Sequence, residues 1–187
     1  MTDLLSSYAA HYDASRSDLH RIADGLSDEA FNWKPSPRSW SVGECVVHLN
    51  TIAKGYLPEL ERLASADAPR GDAPFRYGWL AGRFIGAVSP GSRAIPTGGP
   101  MKPPKTSGER SEIDQARALS SFDGYTDRYL AVCDDASGLD LQAIQMRSPF
   151  LKLMKLPLGA FIEALGLHAV RHVQQAERVT QRPGFPG

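Results

Sequence analysis

The sequence predicts an all-α fold, a four-helix bundle. Three observations carry this. Four long stretches place apolar residues in alternating steps of three and four. Strand patterns are nearly absent, since no hairpin dipeptide is flanked by alternating apolar residues. The stretch richest in proline and glycine falls between the second and third helices, where a bundle accommodates a long irregular crossover. The 187 residues suit one domain with a core of its own.

The first helix is expected over 4–26, with Leu5, Tyr8, Tyr12, Ser15, Leu19, Ile22 and Leu26 on its seam and Gly25 marking its end. His11 and His20 lie off that seam and read as surface or boundary residues. Residues 27–40 read as a connection, because Pro35 and Pro37 exclude a helix there. Trp33 and Trp40 are expected to fold back over one end of the core.

The second helix opens on Ser41-Val-Gly-Glu44, a capping box in which the serine hydroxyl accepts from the N3 amide and the glutamate reaches back. Cys45, Leu49, Ile52, Tyr56, Leu60 and Leu63 form its stripe, with His48 beside it. Residues 66–110 hold seven of the 14 prolines and eight of the 17 glycines, which rules out a long helix. Only FRYGWLAGRFIGAV within them is apolar enough for a short one. Seven basic residues stand against three acidic ones here. The insert reads either as a lid bringing Lys102, Lys105 or an arginine over an anionic substrate, or as a solvated loop or dimer-packing arm.

The third helix is expected over Ser111–Asp135, with Ser111 as N-cap and Ile113, Ala116, Leu119 or Ser120, Tyr129 and Cys133 inward. After a second connection over 136–156, Pro157 starts the fourth helix in its first turn, where proline is tolerated. Its seam runs Leu158, Phe161, Leu165, His168, His172, Gln175, Val179.

Composition narrows the function. Lys plus Arg balances Asp plus Glu at 21 each, without the basic excess of a nucleic-acid binder. No apolar run is long enough to cross a membrane. The two cysteines, Cys45 and Cys133, form no C-x-x-C pair, and the N-terminus lacks a signal-peptide pattern, so a cytoplasmic location is the expectation.

His168 and His172 sit where leucines belong. Four residues apart on a helix, they face the same way. Buried imidazoles need partners. They read either as boundary histidines bonded to neighbours or as a metal pair. With His48 they would make a three-histidine site between two helices. Three protein ligands with one open position is the pattern of a catalytic ion, and neutral imidazole suits zinc, nickel, copper or iron. Glu44, one turn before His48, reads as a base or outer group, or simply as a cap. Gln175 could orient a ligand or be a satisfied core glutamine. Cys45 is a soft-ligand candidate, better explained as a small buried residue. Tyr56 is a candidate cavity residue, and Arg171 points off the seam as a surface or interface charge.

Trp40-Ser-Val-Gly-Glu44-x-x-x-His48-Leu resembles the second-helix signature of the DinB-like family, four-helix bundles regarded as metalloenzymes. Leu158-Gly159, Glu163-Ala-Leu and His168-x-x-Arg171-His172-x-x-Gln175 resemble its fourth-helix signature. The resemblance implies an up-down-down-up bundle, a metal, zinc or nickel foremost, held by His48, His168 and His172, and often a dimer. It also implies a small-molecule substrate, and either hydrolysis or transfer with a low-molecular-weight thiol, since relatives include thiol-dependent isomerases and S-transferases. The alternative is a non-catalytic module that binds a metal or small ligand. The basic insert departs from shorter members, so substrate details do not carry over.

Overall fold

The computed structural model describes residues 3–93, 101–102, 110–151 and 153–187. In chain order the elements are α1 (Asp3–Ala23), α2 (Asp28–Asn32), α3 (Val42–Ala64), α4 (Gly78–Val88), α5 (Gln115–Asp135), β1 (Gln145–Arg147), β2 (Lys155–Pro157) and α6 (Leu158–Thr180). Helices α1, α3, α5 and α6 form a four-helix bundle.

Contacts between helices set their directions. Tyr8 donates to Glu163 at 3.1 Å and Arg21 to Glu177 at 3.0 Å, so α1 and α6 are parallel neighbours. Asn50 donates to the Ala118 carbonyl at 2.9 Å and Arg128 to Glu61 at 2.6 Å, so α3 and α5 are parallel too. Tyr12 stacks on Tyr129 at 4.6 Å while His20 meets Asp123 at 2.8 Å, which makes α1 and α5 antiparallel. Tyr56 against Phe161 at 5.5 Å, with His48 against His172 at 4.5 Å, makes α3 and α6 antiparallel. The topology is up-down-down-up.

This topology explains the crossover. Two parallel helices cannot be joined by a short turn, so the chain must travel back along the bundle between α3 and α5. The 23 residues of α3 rise about 34 Å. Helix α4 covers part of the return by lying along α6. At its start Tyr77 packs on Gly159, where an added Cβ would collide with the phenol oxygen. At its end the Ala87 carbonyl accepts from Arg171 at 2.9 Å.

The seam of α1 is buried from Leu5 to Ile22, although the helix stops at Ala23 and Gly25 follows at φ +72°. The Ser41–Glu44 capping box is present in full. The apolar stretch of the insert is helical, as α4, whereas TGGPMKPPKTSG falls mostly outside the described residues, Lys105 included.

Three expectations are corrected. The connection over 27–40 contains α2, five residues capped by Ser27, whose hydroxyl accepts from the Ala30 amide. The third helix begins at Gln115, capped by Asp114, and not at Ser111. Ser111 is fully buried instead: its hydroxyl donates to Asn32 Oδ1 at 2.6 Å and meets the Ser41 hydroxyl at 2.8 Å. The inward face consequently runs through Ala118, Phe122, Thr126, Tyr129, Val132 and Cys133, and Ala116 faces out. The connection before α6 holds a small antiparallel pair, β1 with β2, in the register Met146 to Leu156. Pro157 closes β2 and sits just ahead of α6.

The core divides into two apolar clusters. One centres on Tyr12, Leu57, Leu60, Met146, Phe161 and Ile162; the other on Leu19, Phe31, Val42, Val46, Val173 and Ala176. They part between Leu49 and Ile52 on α3 and between Leu165 and Ala169 on α6. The three candidate histidines lie at or next to that level.

Candidate metal centre

Helix α3 presents His48 and helix α6 presents His168 and His172. One potential ligand atom from each ring lies within 4.8 Å of the other two, and among the described residues no carboxylate or thiolate joins the group. The ring centroids are 5.3 Å apart for His48 and His168, and 4.5 Å apart for each of the other two pairs. Antiparallel packing of α3 on α6 brings together residues 120 positions apart.

Hydrogen bonding fixes the orientation of the first ring. His48 Nδ1 lies 2.7 Å from the Met101 carbonyl oxygen. A carbonyl only accepts, so Nδ1 carries the proton and Nε2 of the neutral ring is a bare lone pair. That Nε2 lies 3.1 Å from His168 Nε2. Two imidazole nitrogens bound to one tetrahedral zinc at its usual bond length sit roughly 3.3 Å apart. The spacing therefore fits a shared ion.

The other two rings carry unmet polar atoms. Nδ1 of His168 and Nδ1 of His172 are buried without a hydrogen-bond partner. The Val88 carbonyl at the end of α4 is near enough to favour the protonated His168 ring, though outside hydrogen-bond geometry. Gln175, half-buried, acts on His172 in the same sense.

Burial dominates the electrostatics. Desolvation lowers the pKa of all three rings, and His168 falls to about 3 with further lowering by His48 and Arg171. All three are thus neutral near pH 7, the state that ligates. Trp40 stacks on His172 at 5.5 Å and tilts over His48 at 5.0 Å, sheltering one side of the group.

Glu44 has both oxygens engaged. Oε1 accepts from Lys34 at 3.2 Å and Oε2 from the Ser41 amide at 2.9 Å. Cys45 is buried, and desolvation raises its thiol pKa well above the ordinary range. Tyr56 bonds Ser148 at 2.7 Å and packs on Phe150 and Phe161. Arg171, read from the sequence as a surface or interface charge, instead holds the insert through Ala87, Ser92 and Arg93. His168 also borders a cavity of about 20 Å³ between the bundle helices, together with Tyr12, Asn50, Phe122 and Tyr129. That is room for a single water.

Sequence reading did not find the Met101 carbonyl. A backbone acceptor leaves no mark in residue identity.

An up-down-down-up bundle in which α3 and α6 bring three largely buried histidines together defines a helical protein with a group that could hold a metal ion. The chain belongs to the DinB superfamily, whose model matches residues 11–176. Among solved structures it is similar to YfiT from Bacillus subtilis, described as a probable metal-dependent hydrolase with an unusual four-helix bundle topology. The TM-score is 0.62 at 14% identity, over 99% of this chain and 91% of that one. At that identity the likeness concerns the fold. No curated protein matches the chain.

Proposed function

We propose that this chain is a metal-dependent hydrolase in which His48, His168 and His172 hold a divalent transition ion, zinc or nickel, and a small-molecule substrate takes the open position. The observation that carries this reading is the 3.1 Å approach of two Nε2 atoms, one of them a bare lone pair by virtue of the Met101 contact. The unpartnered buried Nδ1 of His172 adds to it. The description attached to YfiT favours hydrolysis over the alternatives.

When bound, such an ion supplies Lewis acidity and lowers the pKa of a water ligand. The protein's own part is positional. Three neutral donors leave the ion its full double charge. Met101 holds the His48 ring at a fixed angle, and Trp40 excludes solvent from the flank of His48 and His172. Glu44 secures the start of α3 and so the pitch of His48.

Elemental analysis of protein purified without a histidine tag tests the site. About one equivalent of a transition metal is expected, and less than a tenth would overturn the reading. Hydrolysis by the loaded protein of an ester or amide panel, in the absence of any thiol, is the expected activity. Turnover only with a small thiol would assign a transferase, and metal binding with no turnover would assign a binding module.

A further inference from the structure

The large apolar side chains left exposed among the described residues fall in two segments. Trp79, 77% exposed, and Leu80 lie on α4, whose only buried residue is Ala81. Leu151 and Leu153, the latter 98% exposed, lie at the tip of the β1–β2 hairpin. A row of rings runs beneath both segments. Phe84 of α4 meets Phe161 of α6 at 5.7 Å, Phe161 meets Tyr56 of α3 at 5.5 Å, and Tyr56 meets Phe150 of the hairpin loop at 5.6 Å. The Arg76 amide, just ahead of α4, donates to Gln142 Oε1 at 2.7 Å, close to the start of the hairpin. Both apolar segments therefore lie on the α3–α6 side of the bundle.

Charge is sorted onto the same segments. Residues 73–108 and 141–162 carry eight of the 21 Lys and Arg residues and none of the 21 Asp and Glu residues. Arg147 and Lys155 stand directly opposite each other in the hairpin register, and both are exposed, since Met146 and Leu156 take the inward face. Like charges so placed destabilise a hairpin. Among the described residues neither has an ion-pair partner. On α4, Arg83 lies over the Trp79 ring at 5.7 Å.

An apolar surface ringed by unpaired cations calls for an anionic occupant with an apolar interior. A second copy docked by this face would bring its own positive charges against these. A nucleic acid matches the charge, but its bases stack on rings, and the hairpin tip offers leucines. An anionic bilayer matches both features: phosphates meet the cations, and the hydrocarbon boundary receives the leucines and the indole.

We propose that α4 and the β1–β2 hairpin form a peripheral docking face for an anionic lipid bilayer, with Trp79, Leu151 and Leu153 entering the headgroup boundary and Arg83, Arg147 and Lys155 on the phosphates. The contact is superficial, because no helix among the described residues is long and apolar enough to cross a membrane. It does not depend on the metal.

The test sediments the full chain with phosphatidylcholine vesicles made with or without phosphatidylglycerol. Wild type is expected to sediment with the anionic vesicles alone, to be released by high salt, and to show a blue shift in tryptophan emission that Trp79→Phe abolishes. Leu153→Ser should lose about ten-fold or more in vesicle affinity, and Lys155→Gln about five-fold. Arg182→Gln, beyond the far end of α6, should bind as wild type does. Circular dichroism verifies the fold of each variant, and Trp79→Ser serves if Leu153→Ser does not fold. Sedimentation of wild type with neither vesicle, or equally with both, would overturn the docking face, as would full affinity in Leu153→Ser. In place of vesicle binding, a dimer lost in Leu153→Ser would assign the face to a second copy, and retardation of single-stranded RNA lost in Lys155→Gln would assign it to nucleic acid; either result overturns the lipid reading.

Discussion

Lys34 and Glu44 meet at 3.2 Å with side chains only 5% and 4% exposed. The pair sits in a polar knot that also includes the Ser41 cap and, through its hydroxyl, Ser111 and Asn32. This knot ties α2, the start of α3 and the approach to α5 together, one turn below His48. Removing one member of a buried pair strands the other charge in a poorly solvating place. Lys34→Met should therefore destabilise the protein by about 3 kcal/mol. A urea unfolding curve measures this; a loss under about 1 kcal/mol would mean that the carboxylate finds compensation elsewhere.

Metal loading should stabilise the fold through linkage. With free zinc at about a hundred times its Kd, the gain is about 2.7 kcal/mol. A thermal melt of wild type should shift upward on adding zinc and return on chelation. Melts of His48→Ala, His168→Ala and His172→Ala should not respond to the ion. A response retained in any of the three would remove that ring from the ligand set.

Acid should weaken the metal-free protein. Burial holds the three imidazoles below their ordinary pKa, His168 at about 3, so between that value and about 6.5 the unfolded chain binds more protons than the folded one. Stability then rises with pH through this window. The contribution is complete above about 6.5 and is lost progressively as pH falls toward the folded values. Denaturation midpoints at pH 7.5 and pH 5.0 should differ, with a smaller difference in a variant carrying glutamine at all three positions.

Gly159 gives way to Tyr77 at the foot of α4. The phenol oxygens of Tyr77 and Tyr8 lie 3.0 Å apart, and Tyr8 donates onward to Glu163. Gly159→Ala places a methyl group into the Tyr77 ring and near Leu141 Cβ. The expected cost is about 1–3 kcal/mol from overpacking. Hydrogen exchange should rise in α4 more than in α5; uniform change across the helices would show that the substitution acts on the bundle as a whole.

Much of the bundle is legible in the residues. The seams of α1, α3 and α6 are long enough for periodicity to dominate, and the seam of α6 carries two histidines in register with leucines. Ser41 and Glu44 declare the start of α3 because a capping box needs those two residue types at that spacing. Ser111 misleads for the same reason: a serine before a helix looks like a cap, and only the tertiary meeting with Asn32 and Ser41 shows it employed elsewhere. Helix α2 is too short for its apolar period to register, and β1 and β2, at three residues each, too short for alternation. Arg171 lies off the seam, and its partners, two backbone carbonyls and the Ser92 hydroxyl, lie on a segment whose path follows from topology, not from local pattern.

The division of the hydrocarbon interior at the histidine level has a thermodynamic consequence. Each block can loosen with limited regard for the other, because polar side chains stand between them. An ion bridging α3 to α6 at that height would couple the two halves. Calorimetry would then record one sharp endotherm for the loaded protein and a broader, more divisible one after chelation.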